Sequence, residues 1–198
     1  MKSRLTIGFL AALLSAPGLA GDLEDGARLH AQRRYAQALH AFEKAARAGN
    51  AEAQRRLGFM YYHGEGTVQD NQRAVALFET AGDAGDIVSA SNLGMMFEHG
   101  MGVAQSDARA AAWYLKAAAL GDPQSQFNAS VMLYKGQGVA QDRVEAAKWW
   151  TLAMLHGGAV AQRVRIAVES AQGKLTPEQN AEGERRAQDW LAAHKTRP

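Results

Sequence analysis

The sequence predicts an all-α fold, a right-handed α-solenoid of stacked helix-turn-helix repeats finished by a C-terminal capping helix. Three observations predict it. One stretch of 36 residues is written three times, from Leu57, Leu93 and Ala129, opening LGFMYYHGEGTVQD, LGMMFEHGMGVAQS and ASVMLYKGQGVAQD. The register holds throughout: Ala74, Ala110 and Ala146 recur at that step, as do Phe78, Tyr114 and Trp150, and Ala81, Ala117 and Ala153. Each copy ends on a glycine, at Gly85, Gly121 and Gly157. A fixed period in this range means stacked supersecondary units, none able to bury its apolar face alone.

Residues 1–20 stand apart. Lys2 and Arg4 precede an apolar run from Leu5 to Leu14, followed by the small residues Gly18 and Ala20. That is the layout of a secretory signal cleaved after Ala20, and the run is too short to span a bilayer, which takes about 20 residues. A periplasmic or secreted protein is the expectation. The chain carries 22 basic and 20 acidic residues, so without Lys2 and Arg4 the two balance. Nucleic acid and anionic membrane surfaces are thereby disfavoured as partners, because both need a basic excess on one face. With no cysteine, neither disulfides nor thiolate chemistry is available, and stability must come from packing.

Residues 21–49 read as a shortened first repeat: a short helix over Asp22–Gln32, then Tyr35, Ala38, Phe42, Ala45 and Ala46 on one helical face. The full repeats are expected at 50–85, 86–121 and 122–157, each with two helices. Asn50, Asp86 and Asp122 should cap the first helix by accepting from orphan amides, with Pro123 harmless in the first turn. The first helices should end at His63, His99 and Lys135, because Gly64, Gly100 and Gly136 can take the left-handed conformation. Their paired glycines (Gly64 and Gly66, Gly100 and Gly102, Gly136 and Gly138) follow a helix rather than a strand, so they read as turns and not as a phosphate-binding fingerprint. Asp70, Ser106 or Asp107, and Asp142 should cap the second helices, Asp142 with Glu145 at capping-box spacing. Over residues 158–198 the pattern decays, with a stripe of Ala161, Val164, Val168 and Ala171. Thr176, Pro177 and Gln179 then open a last helix running to about His194, expected to turn Ala181, Ala187, Trp190 and Leu191 inward as a lid for the open end of the stack.

Catalysis needs converging acid, base, nucleophile or metal ligands. The six histidines show no ligand spacing, and His63, His99 and His156 stand before glycines at helix ends, where the macrodipole favours them. His63 with His99 alone makes a poor metal site. No enzyme activity, catalytic residue, metal or cofactor is expected. Trp113, Trp149 and Trp150 are expected to pack between repeats rather than to stack a sugar. The candidate binding groove is a stripe on the first helices: Glu52, Arg55, Phe59 and Tyr62, then Val88, Ser91, Met95 and Glu98, then Gln124, Phe127, Val131 and Tyr134. Arg55, Tyr62, Glu98 and Tyr134 are the four hardest to explain as core.

The succession Ala53, Leu57, Gly58, Tyr61, Gly64, Gly66, Val68, Asp70, Ala74, Phe78, Ala81 and Gly85, repeated from Leu93 and Gly94 to Gly121, resembles the Sel1-like repeat family, a relative of the tetratricopeptide repeat. The third copy departs with Ala129 and Ser130 where Leu-Gly is usual, and with Leu133 where an aromatic is usual. The resemblance implies an adaptor that binds a protein or peptide of the cell envelope on its inner surface. It also implies, as an alternative, a binder or hydrolase of peptidoglycan or other envelope glycan fragments, although exported members of that kind are held by cysteine pairs that this chain does not have. The scaffold ranks first, the glycan binder second and the hydrolase last.

Overall fold

The computed structural model describes residues 17–170 and 175–194. The signal expected over residues 1–20 therefore lies almost wholly outside the described residues. Ten helices and no strand occur among the described residues: α1 (Pro17–Ala31), α2 (Tyr35–Arg47), α3 (Ala51–His63), α4 (Asn71–Asp83), α5 (Ile87–His99), α6 (Asp107–Ala119), α7 (Pro123–Lys135), α8 (Arg143–Leu155), α9 (Gly158–Ser170) and α10 (Pro177–His194). The backbone of α1 runs unbroken through Ala20 and Gly21, five residues earlier than the Asp22 start expected from the pattern. None of the described helices is long and apolar enough to cross a membrane.

Local chemistry sets the ends. The side chains of Asn50, Asp86 and Asp122 accept from the amides of Ala53, Ser89 and Ser125 at 2.8, 2.8 and 2.7 Å. Gly64, Gly100 and Gly136 close α3, α5 and α7 in the left-handed region. Asp70, Ser106 and Asp142 cap α4, α6 and α8 in the same way. Only half of the Asp142 capping box forms, because the Glu145 carboxylate turns away to Lys148 and Arg186.

The repeating contacts explain the repeating residues. The aromatic of each second helix lies on a glycine of the first: a Cβ at Gly58 would stand 2.7 Å from the Phe78 ring, and one at Gly94 2.5 Å from Tyr114. Ser130 takes this place in the third repeat, buried, its hydroxyl donating to the Phe127 carbonyl. The second glycine of each turn makes the inter-repeat approach. A Cβ at Gly66, Gly102 or Gly138 would fall 2.6, 2.6 or 2.2 Å from the carbonyl carbon of Tyr35, Asn71 or Asp107, at the start of the preceding repeat's second helix. Trp149 and Trp150 are buried, as the packing reading expects.

The last helix covers the C-terminal end of the stack, as expected, by lying along α8: Ala187 is fully buried, Trp190 meets Trp149 edge-on at 6.3 Å and Leu191 packs on the same core. Ala181, expected inward, is exposed, and Gly183 makes the close approach instead, where a Cβ would stand 2.4 Å from that of Ala147. The small residues on this face of α10 let it seat on α8, so an apolar groove is left open between α8, α9 and α10.

Candidate binding site on the first-helix face

The stripe residues of the first repeat are largely satisfied within the protein. Glu52 accepts from Arg56 at 2.7 Å, and the Arg55 Nε donates to Asp86 Oδ2, the cap of the next repeat, at 3.0 Å. Ser91, one repeat on, donates to the cap Asp122 at 3.2 Å. This register position is thus a tether between repeats. Phe127 holds the same position, but the following helix begins at Gly158, which offers no carboxylate. Its ring is buried with Trp150, Ala153 and Val164, under the Arg163 guanidinium at 4.5 Å. Phe127 therefore departs from the groove expectation, and Val131 packs on the same cluster. Phe59 stands edge-on to Phe78 at 5.0 Å. Tyr62 is half-buried with its hydroxyl 3.7 Å from Met101 Sδ, whereas Tyr134 tilts onto Trp150 at 5.2 Å and buries its hydroxyl. Val88 remains exposed.

The open part of the face is a cavity of about 460 Å³ at the second and third repeats. Helix α5 supplies Ser91, Asn92, Met95, Glu98 and His99; α6 supplies Tyr114; α7 supplies Gln124 and Asn128; α9 supplies Arg163. Ser91, Met95, Glu98 and Gln124 belong to the stripe read from sequence. The pattern held signals for others. Asn92 and Asn128 are one repeat apart, and Arg163 is the fourth member of the register Arg55, Ser91, Phe127. The decay of the pattern after Gly157 hid it.

These groups form two short hydrogen-bonded runs that line the same cavity. Arg163 donates to Gln124 Oε1 at 2.8 Å and Gln124 Nε2 donates to Asn128 Oδ1 at 2.9 Å, while on the other side of the cavity Tyr114 donates to Glu98 Oε2 at 2.7 Å. In each run the charged end sets the direction, because a guanidinium only donates and a carboxylate only accepts. Burial, and then the bond to Glu98, push the Tyr114 hydroxyl well above the usual tyrosine range, so it stays a donor.

Trp149 and Trp150 have no free face for a sugar, and Trp113 is half-buried with the Lys116 ammonium 4.7 Å from its ring centre. Among the described residues no three His, Asp or Glu side chains gather as a metal site. His63 packs against Phe59 and Tyr62 instead.

Helix pairs stacked at a fixed 36-residue step define an all-α repeat solenoid. A family model described as Sel1 repeat matches residues 30–50, 51–86, 87–122 and 123–157, and the chain belongs to that family. Its members generally act as protein–protein interaction scaffolds rather than catalysts. Among solved structures the chain is similar to c5321, described as a protective antigen of uropathogenic Escherichia coli with an SLR fold, at 28% identity and a TM-score of 0.73 over 86% of this chain. It is also similar to a Sel1 repeat protein from Oxalobacter formigenes, at 25% identity and a TM-score of 0.68 over 76% of this chain. The chain spans 38% and 62% of the lengths of those two proteins. Among curated proteins it has no sequence match.

Proposed function

We propose that this chain is a non-catalytic scaffold of the cell envelope that holds a protein or peptide partner along its first-helix face. The observation that carries this reading is the central pocket. Two successive repeats and α9 converge there on amides, one carboxylate, one guanidinium and a thioether, whereas the first repeat has neutralised its own charges. Convergent polar groups around an apolar floor are how small recognition sites are built. Export rests on the sequence of residues 1–20, where basic residues, an apolar run and small residues follow one another.

The test is photocrosslinking in the native cell. A photoreactive residue at Asn92 and another at Met95 should each capture the same envelope protein, and one at the exposed Ala112 of α6 should not. Equal capture from all three positions, or none from the two in the pocket, would overturn the reading. The cleavage site is checked separately by sequencing the N-terminus of material from the envelope; a start near Gly21 is the expected result.

A further inference from the structure

Glu98 and Arg163 are opposite charges that line the same cavity and do not neutralise each other. Among the described residues Glu98 faces no cation at ion-pair distance; it accepts only the Tyr114 hydroxyl, on Oε2, which leaves its second oxygen open. Arg163 has no carboxylate at ion-pair distance either. One of its terminal nitrogens donates to Gln124 and the plane lies over Phe127, so the remaining donors of the guanidinium are uncommitted. This contrasts with the other charges on the face: Glu52, Arg55, Arg56 and Asp86 are all paired. Each open charge is held by its own hydrogen bond, Glu98 by the Tyr114 hydroxyl and Arg163 by Gln124. Both groups line the one cavity without meeting each other at ion-pair distance.

We propose that the pocket takes a short zwitterionic peptide, its terminal ammonium on Glu98 and its terminal carboxylate on Arg163. A ligand with both charges completes what each group lacks. A singly charged ligand leaves one of the two groups without a partner and forfeits one charge-assisted hydrogen bond, at the half-buried Glu98 or at the exposed Arg163. The cavity of about 460 Å³ lies in the range that binds compact ligands, and Met95 gives small apolar side chains a soft, adaptable surface. This inference rests on the pocket being a recognition site, and it adds the chemistry of the occupant. A free peptide and an internal lysine–aspartate pair of a folded partner present the same two charges; blocking the termini tells them apart.

The probes are tri-alanine and tetra-alanine, each with free termini, N-acetylated, C-amidated or blocked at both ends, titrated calorimetrically into the full chain at low salt. Free termini should bind most tightly, and either single block should weaken binding about tenfold, the loss of one charge-assisted bond. In Glu98→Gln, which keeps an acceptor for Tyr114, free and acetylated peptides should bind equally. In Arg163→Gln, free and amidated peptides should bind equally. The proposal is overturned if the doubly blocked peptides bind as well as the free ones, if neither substitution removes its matching discrimination, or if no free peptide binds at millimolar concentration. In the last case a partner captured at Asn92 and Met95 would still stand, so the two readings fail separately. Circular dichroism and the urea midpoint of both variants confirm that each remains folded.

Discussion

Tyr114 is where packing and recognition meet. Its ring covers Gly94 and its hydroxyl holds Glu98. A side chain at position 94 would enter the space of that ring, so Gly94→Val should cost about 1–3 kcal/mol through overpacking and should also release the carboxylate. Urea denaturation checks the first effect; an unchanged midpoint would contradict the close approach. Titration gives a second prediction. The folded hydroxyl is raised above its unfolded value of 10.0, so the stability gained by keeping it neutral is complete below that value and is lost as pH rises beyond it. Between about pH 9 and about pH 11 the wild type should lose about 1 kcal/mol more than Tyr114→Phe, since each proton counts for ~1.4 kcal/mol per unit above the unfolded value. Parallel loss in the two proteins would show that Tyr114 is not linked to folding. Sequence placed Glu98 and Gln124 on one face, and both line the cavity there, because register alone decides which face a residue takes. It could not show that Arg55 ends on the Asp86 cap or that α9 covers Phe127, because both depend on the neighbouring repeat.

At the scale of the element, the boundaries of α3 to α8 were legible almost to the residue, since caps and closing glycines act within one turn, whereas α1, with no such signal at its start, begins five residues before the expected Asp22. The capping box that opens α10 is an example: the Thr176 amide donates to Gln179 Oε1 at 3.0 Å and the Gln179 amide donates to Thr176 Oγ1 at 3.2 Å. Where α10 docks was not legible. Thr176 and Gln179 say that a helix starts, but only the match of Gly183 to Ala147 and of Trp190 to Trp149 says that it lies on α8. Gly183→Leu should therefore lift α10 while leaving α1–α8 folded, since the added side chain meets the α8 backbone at Lys148 as well as the Ala147 methyl. Limited proteolysis should then cut the chain between α9 and α10 far faster than in the wild type, with most of the helical circular dichroism retained. Wild-type resistance would mean that α10 is held by contacts other than that close approach.

For the whole molecule the pattern of contact is nearly one-dimensional. From α1 to α9 each helix packs mainly on its neighbours in the chain, and the departures come at the C-terminal end, where α10 returns to α8 and α9 also touches α7. A period read from sequence reveals such an array because every unit makes the same contacts; it cannot reveal a pocket whose charges come from the second and the fourth units. Stability in an array of this kind is a sum of unit and nearest-neighbour terms. Leu93, fully buried in α5, tests it. Leu93→Ala should cost about 2–5 kcal/mol by cavity formation, and the loss should be local. Amide hydrogen exchange should show protection falling most in α5 and α6, less in α4 and α7, and least in α1 and α2, which touch the second repeat only through the first. The pocket lies on the weakened unit, so peptide affinity should fall with it. An equal fall in protection across all helices would instead mean that the stack unfolds as one cooperative body, and coupling between Glu98 and Arg163 would then be set by the fold as a whole and not by the units that carry them.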